Sequence, residues 1–90
     1  MLENKIVNRY LKKDRLHVEE IVDIFLEEQV KFMKLEGAEV PDNDDFDKYG
    51  KGKATTIMRR LVEIGQFERK KEDGVDKSGK KMQEIVYQRL

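Results

Sequence analysis

The chain has no cysteine, a single histidine and a single proline. Without cysteine there can be no disulfide and no thiolate metal site, and the composition agrees with a reducing compartment. His17 alone would need carboxylates to complete a zinc shell, so no metal and no other cofactor is expected. No apolar run is long enough to cross a bilayer, and Met1-Leu-Glu-Asn-Lys lacks the charged-then-apolar order of a secretory signal. A cytoplasmic chain with no membrane partner is the expectation. No nucleophile sits beside a base in a known arrangement, so no enzymatic activity is expected either. Net charge is absent too, with 19 basic and 19 acidic residues.

That zero conceals a partition. Residues 1–47 hold 7 lysines and arginines against 13 acids, a balance of −6, whereas residues 48–90 hold 12 against 6, a balance of +6. Screening at physiological salt confines each surface charge to about 8 Å, so the basic half can attract a polyanion although the whole chain is neutral. Alternatively, the two halves pair with each other, within one fold or between subunits. The length of 90 residues with 38% hydrophobic content suits one small domain, 1–90, with a modest core.

Apolar spacing predicts a first helix over 2–13, with Leu2, Ile6, Val7, Tyr10 and Leu11 inward. Asp14 and Arg15 interrupt it. A longer helix follows from His17 to about Glu36, with Val18, Ile21, Val22, Phe25, Leu26, Phe32 and Met33 on its inner face. Ile24, Val30 and Leu35 fall off that face, which implies either enclosure on a second side or a homodimer contact through the N-terminal helices, 1–36. Pro41-Asp42-Asn43 reads as the start of a short supporting helix over 42–49, anchored by Phe46 and Tyr49 and ended by a turn at Gly50 and Gly52. Two motifs fail in this stretch. A calcium loop counted from Asp42 has Asp47 where glycine is required and Lys53 where the bidentate glutamate is required. A phosphate loop ending at Gly52-Lys53 has Asp47 for its first glycine and Ala54 for its hydroxyl residue.

The segment 53–69 carries the most information. Ala54, Ile57, Met58, Leu61, Val62 and Ile64 define an apolar side, opposed by Thr55, Thr56, Arg59, Arg60 and Glu63. Gly65 supplies the left-handed residue that ends such a helix, and Phe67 is placed to pack back on the core. Gln66–Glu72 and Lys81–Arg89 then read as antiparallel strands around a long, turn-rich connection over 73–80 bearing Lys77 and Lys80. Hydroxyls beside two guanidiniums suit phosphates and base edges, because arginine forks match phosphate oxygens and guanine O6/N7.

The run Ala54-Thr55-Thr56-Ile57-Met58-Arg59-Arg60-Leu61-Val62-Glu63-Ile64-Gly65-Gln66-Phe67-Glu68-Arg69, with the hairpin after it, resembles the recognition helix and first wing strand of winged helix-turn-helix transcription regulators. The resemblance implies an α+β, mainly α fold with N-terminal helices, a helix-turn-helix over 42–64 and a two-stranded wing over 66–90. It implies double-stranded DNA as the partner, with Thr55, Thr56, Arg59 and Arg60 in the major groove and Lys77, Lys80 and Lys81 on the backbone. Lys51, Lys53 and Lys70 complete the candidate DNA-contacting set. A protein-interaction module on the same scaffold, engaging transcription or replication machinery, is the alternative, since one fold hosts many functions.

Overall fold

Apolar residues at helical spacing build α1 (Leu2–Leu11), and a tight turn carries the chain into β1 (Arg15–His17) and straight on into α2 (Val18–Leu35). Next come α3 (Asp44–Glu63) and the hairpin of β2 (Phe67–Val75) and β3 (Lys81–Arg89). The computed structural model describes residues 2–41 and 44–90. Among them the architecture is α+β and mainly helical, with three helices and a three-stranded antiparallel sheet in the order β1-β3-β2.

The core lies where the helices meet one face of the sheet. Ile6, Tyr10, Leu16, Ile21 and Phe25 from the first half pack with Ala54, Met58, Leu61, Phe67 and Tyr87 from the second. Tyr10 joins the first two helices, its hydroxyl donating to the Ile21 carbonyl at 2.6 Å. Burial pushes that phenol's pKa upward, so it stays a neutral donor throughout the physiological range. Arg9 adds an ionic tie between the same helices, reaching Glu28 at 3.0 Å and Glu27 at 3.3 Å. Burial alone would weaken its charge, but those two carboxylates outweigh it and raise the Arg9 pKa, while Arg9 holds Glu27 low.

Two departures from the sequence reading matter for function. The predicted helix-turn-helix over 42–64 is, from Asp44 onward, one unbroken helix through Gly50 and Gly52; the proposed start at Asp42 and Asn43 lies outside the described residues. Gly50 is not a turn but a crossing point. A Cβ there would lie 2.4 Å from Leu26 Cδ2, so only glycine lets α3 approach α2 this closely. Gly52 faces open space and is tolerated within the helix at the usual entropic cost.

The second departure is in the sheet. Residues 14–17 interrupt the N-terminal helices with β1, whose Leu16 is fully buried and pairs with Tyr87, so the expected two-stranded hairpin is part of a three-stranded sheet. A three-residue strand is too short to display alternation, and only its partner β3 defines it. Smaller corrections fall on Ile64 and Phe32, expected inside but exposed, and on Ile24, which is in the core.

The helix end predicted at Gly65 is present in detail, and α2 closes on a second glycine. Gly65 has φ +82°, with Gln66 N–H donating to the Leu61 carbonyl and Gly65 N–H to Val62, and Phe67 beyond it is buried. Gly37, at φ +75°, closes α2 in the same way, with Ala38 N–H on Met33 and its own N–H on Lys34. The connection between β2 and β3 is tighter than expected, because β2 runs on to Val75 and leaves only residues 76–80 as loop. Asp76 organises that tip, its Oδ1 accepting from the Ser78 N–H and hydroxyl and from the Lys80 N–H.

Candidate nucleic-acid interface

Side chains on α3 divide by spacing into two flanks. Lys51, Thr55, Arg59 and Val62 recur at intervals of four, four and three, so they line one side, the side toward the sheet. Lys53, Thr56 and Arg60, at intervals of three and four, line the other, toward α1 and α2. The candidate DNA-contacting residues of this helix are therefore not one surface but two.

The sheet-facing flank borders a cleft of about 710 Å³. Its opposite wall comes from the hairpin. Alternation from buried Phe67 puts Arg69 and Lys71 on the helix-facing side of β2, across from Tyr87 and Ile85 of β3, and Gln83 continues that side. Val62, Ile85 and Tyr87 give the cleft an apolar floor, while Lys51, Arg59 and Arg69 charge its rim. Among the described residues no carboxylate lies within ion-pair distance of any of these three cations. Three unneutralised charges around a concavity create a local positive field in a molecule whose net charge is zero.

Acid limits the cleft at one end. Beside Lys51 and Lys48 a neighbouring hollow is lined by Glu19, Asp23 and Asp47. Asp44, Asp45 and Asp47 occupy the first turn of α3, where they stabilise its positive dipole end. The acidic start of α3 therefore opposes the positive field beside Lys51, whereas Thr55 and Arg59 lie further along the helix, away from those acids. The threonines have a narrower role than their type suggests. Thr55 donates its hydroxyl proton to the Lys51 carbonyl at 2.7 Å and Thr56 to Gly52 at 2.9 Å, so each offers a ligand only acceptor lone pairs.

The remaining candidates are distributed as follows. Arg60 is held at 2.9 Å by Glu3 of α1, and the Lys53 ammonium stands 5.8 Å over the Tyr49 ring. Lys70 is on the outer face of the sheet, 3.8 Å from Glu68. On that outer face Val86 is nevertheless buried, under an Arg15–Glu72 ion pair that crosses β3, and His17 faces Glu84 at 3.7 Å. Lys77 and Lys80 are exposed on the hairpin tip, and Lys81 shares the face of Arg69. Sequence reasoning chose Lys70 and passed over Arg69. Counting by twos from Phe67 was the available signal, since the residue two beyond an inward aromatic shares its side of the strand.

No group of three or more histidines or acids suited to a metal occurs among the described residues, and none of their helices is long and apolar enough to cross a membrane. The chain matches no protein-family model, no curated protein and no solved structure. Its functional reading accordingly rests on its own geometry.

Proposed function

We propose that this chain is a winged-helix DNA-binding protein of the transcription-regulator type, acting in the cytoplasm on double-stranded DNA. The sheet-facing flank of α3 enters the major groove, and the β2–β3 hairpin follows the adjacent backbone. The observation that carries this reading is the cleft bordered by Lys51, Arg59 and Arg69, three cations from a helix and a strand with no acid partner among the described residues. The succession of three helices and a hairpin, with β1 closing the sheet, is compatible with the winged-helix resemblance drawn from residues 54–69.

Roles follow from position. Arg59 carries base reading, because its fork is free and Thr55 beside it can only accept. Arg69 and Lys51 hold phosphates from the strand wall and the helix wall of the one cleft, while Lys77, Lys80 and Lys81 extend the contact along the hairpin. Each phosphate neutralised releases counterions, so affinity must fall steeply with salt. A fluorescence-anisotropy titration of labelled duplex DNA tests the reading. Binding at low salt that weakens with added salt, and that Arg69→Ala weakens by about 1 kcal/mol or more, is expected. No binding at low salt would refute it. The alternative, a protein-interaction module, draws on a different surface: Phe32, Leu35 and Tyr49 are exposed on the α1–α2 side of the molecule.

A further inference from the structure

The sheet has one long open edge. In the order β1-β3-β2 the last strand has a neighbour on one side only, and its register against β3 runs from Phe67 to Val75 without a bulge or a proline. The hydrogen bonds at its two ends fix which backbone groups face out. Leu90 N–H donates to the Gln66 carbonyl and Asp76 N–H to the Lys80 carbonyl, so the even-numbered residues of β2 direct their N–H and C=O toward β3. Phe67, Arg69, Lys71, Asp73 and Val75 direct theirs outward, where no strand of the described residues covers them. Such a row of open donors and acceptors is a template for another strand, and proteins commonly guard it with charge.

Here the charge is ordered as well as abundant. Arg69, Lys70 and Lys71 precede Glu72 and Asp73, and Lys71 is the middle residue of the nine-residue strand. Within one chain Arg69 and Asp73 cannot meet, because four residues along a strand span about 13 Å. Neither has an ion partner among the described residues.

A two-fold axis normal to the sheet at Lys71 lays β2 of a second copy antiparallel to the first over its whole length. The outward backbone groups of the odd-numbered residues then face one another in hydrogen-bonded pairs. Arg69 of each copy comes opposite Asp73 of the other on the helix-facing side, and Lys70 opposite Glu72 on the outer side. Lys70 and Glu72 already stand beside Glu68 and Arg15 of their own chain, so the helix-facing pair carries the selectivity. At the strand ends Val75, 65% exposed in the single chain, falls opposite Phe67. The one mismatch is Lys71 against itself. Sliding the copies by two residues one way sets Arg69 against Lys71 and Glu68 against Glu72; sliding the other way sets Glu72 against itself and leaves Phe67 and Glu68 beyond the overlap. Full overlap and charge matching select the same register, and this self-complementarity identifies the added strand as a second copy. We propose that two copies join edge to edge through β2, Lys71 beside Lys71, in a continuous six-stranded sheet. The dimer does not depend on what the basic cleft binds, although Arg69 of each cleft then has Asp73 of the other copy beside it.

Sedimentation velocity without DNA tests it. Pairing along one strand edge belongs to the small, weak class of interfaces, so a dissociation constant of about 100 μM is expected, read by dilution from about 1 mM. Arg69→Asp and Asp73→Arg should each raise that constant about tenfold or more, because both symmetric contacts become repulsive. The double variant, and an equimolar mixture of the two single variants, should associate again. Lys71→Thr removes the like-charge contact on the axis and should lower the constant about threefold. These side chains are exposed in the single chain, so circular dichroism of the variants should match wild type. The chain has no cysteine, so Lys71→Cys supplies one thiol per copy, with the two Cα atoms about 5.5 Å apart across the axis. It should oxidise to a linked dimer faster than Lys77→Cys at the exposed hairpin tip. A wild-type monomer at the highest concentration would overturn the proposal. So would a dimer indifferent to Arg69→Asp, as expected if another face joins the copies, or a Lys71→Cys protein that links no faster than Lys77→Cys.

Discussion

The two flanks of α3 sit on one helix and differ in what confronts them. Toward the sheet, Lys51, Thr55 and Arg59 face a strand that brings Arg69, so cation accumulates on cation and stays unneutralised. Toward α1 and α2, Arg60 faces Glu3 of α1 and Lys53 stands over Tyr49 one turn earlier on α3 itself, so each charge already has a partner in the fold. Composition is alike on both sides, one lysine, one threonine and one arginine each. For the two arginines the difference is made by the neighbouring element, which decides whether the guanidinium is available to a ligand or engaged in the structure. Exposed ion pairs contribute little stability, so the Glu3–Arg60 contact matters more for occupying the guanidinium than for holding the helices together.

Substituting the two adjacent arginines gives the sharpest separation of the flanks. Arg59→Ala is expected to weaken DNA binding by about 1 to 3 kcal/mol, and Arg60→Ala by about 0.5 kcal/mol or less, in the same anisotropy titration. Equal losses would mean that DNA contacts both flanks and that the distinction drawn from Glu3 fails.

The glycines of α3 provide the next contrast. Gly50→Ala must displace Leu26 and is expected to cost about 1 to 2 kcal/mol in urea unfolding. Gly52→Ala, two residues on and facing open space, should instead stabilise the chain by up to about 1 kcal/mol. If both substitutions stabilise, the close crossing of α2 and α3 is not what requires Gly50.

These residues also show how far the sequence is legible. Periodicity located most of the core, glycine marked the end of α3 at Gly65, and the hairpin strands followed from turn composition, because all three are local signals. Gly50 and Gly52 misled for an equally local reason. Glycine reads as a breaker unless the chain that crosses it is known, and Leu26 is twenty-four residues away. Arg60 and Glu3 pair across 57 positions, a separation that no window of the sequence registers, so Arg60 read as free as Arg59. Residues 15–17 form a strand only because β3 lies alongside. Arg69, by contrast, is legible from alternation, which sets it on the side of Phe67 and Lys70 on the other.

The smallest effect concerns the hairpin wall of the cleft. The Asp76 carboxylate is held below its usual range by hydrogen bonds from the Ser78 side chain and then from the Lys80 backbone. A depressed folded-state pKa stabilises the tip above the ordinary carboxylate range, and that contribution is lost as falling pH protonates the group. Amide resonances of Ser78 and Lys80 should therefore shift together only in acid, below the range of a free aspartate, while those of Lys51 and Arg59 remain in place. Movement of the tip resonances between neutral pH and the onset of that range would show that Asp76 does not organise the turn.

Chemical-shift mapping of the isotope-labelled protein with duplex DNA reports on both flanks in one experiment. Perturbations concentrated at Lys51, Thr55, Arg59, Arg69 and Gln83, with Leu2, Phe32, Leu35 and Tyr49 unmoved, are the expected result. Perturbations centred on the second group, or none at low salt, would contradict the assignment of the basic cleft as the DNA-binding surface.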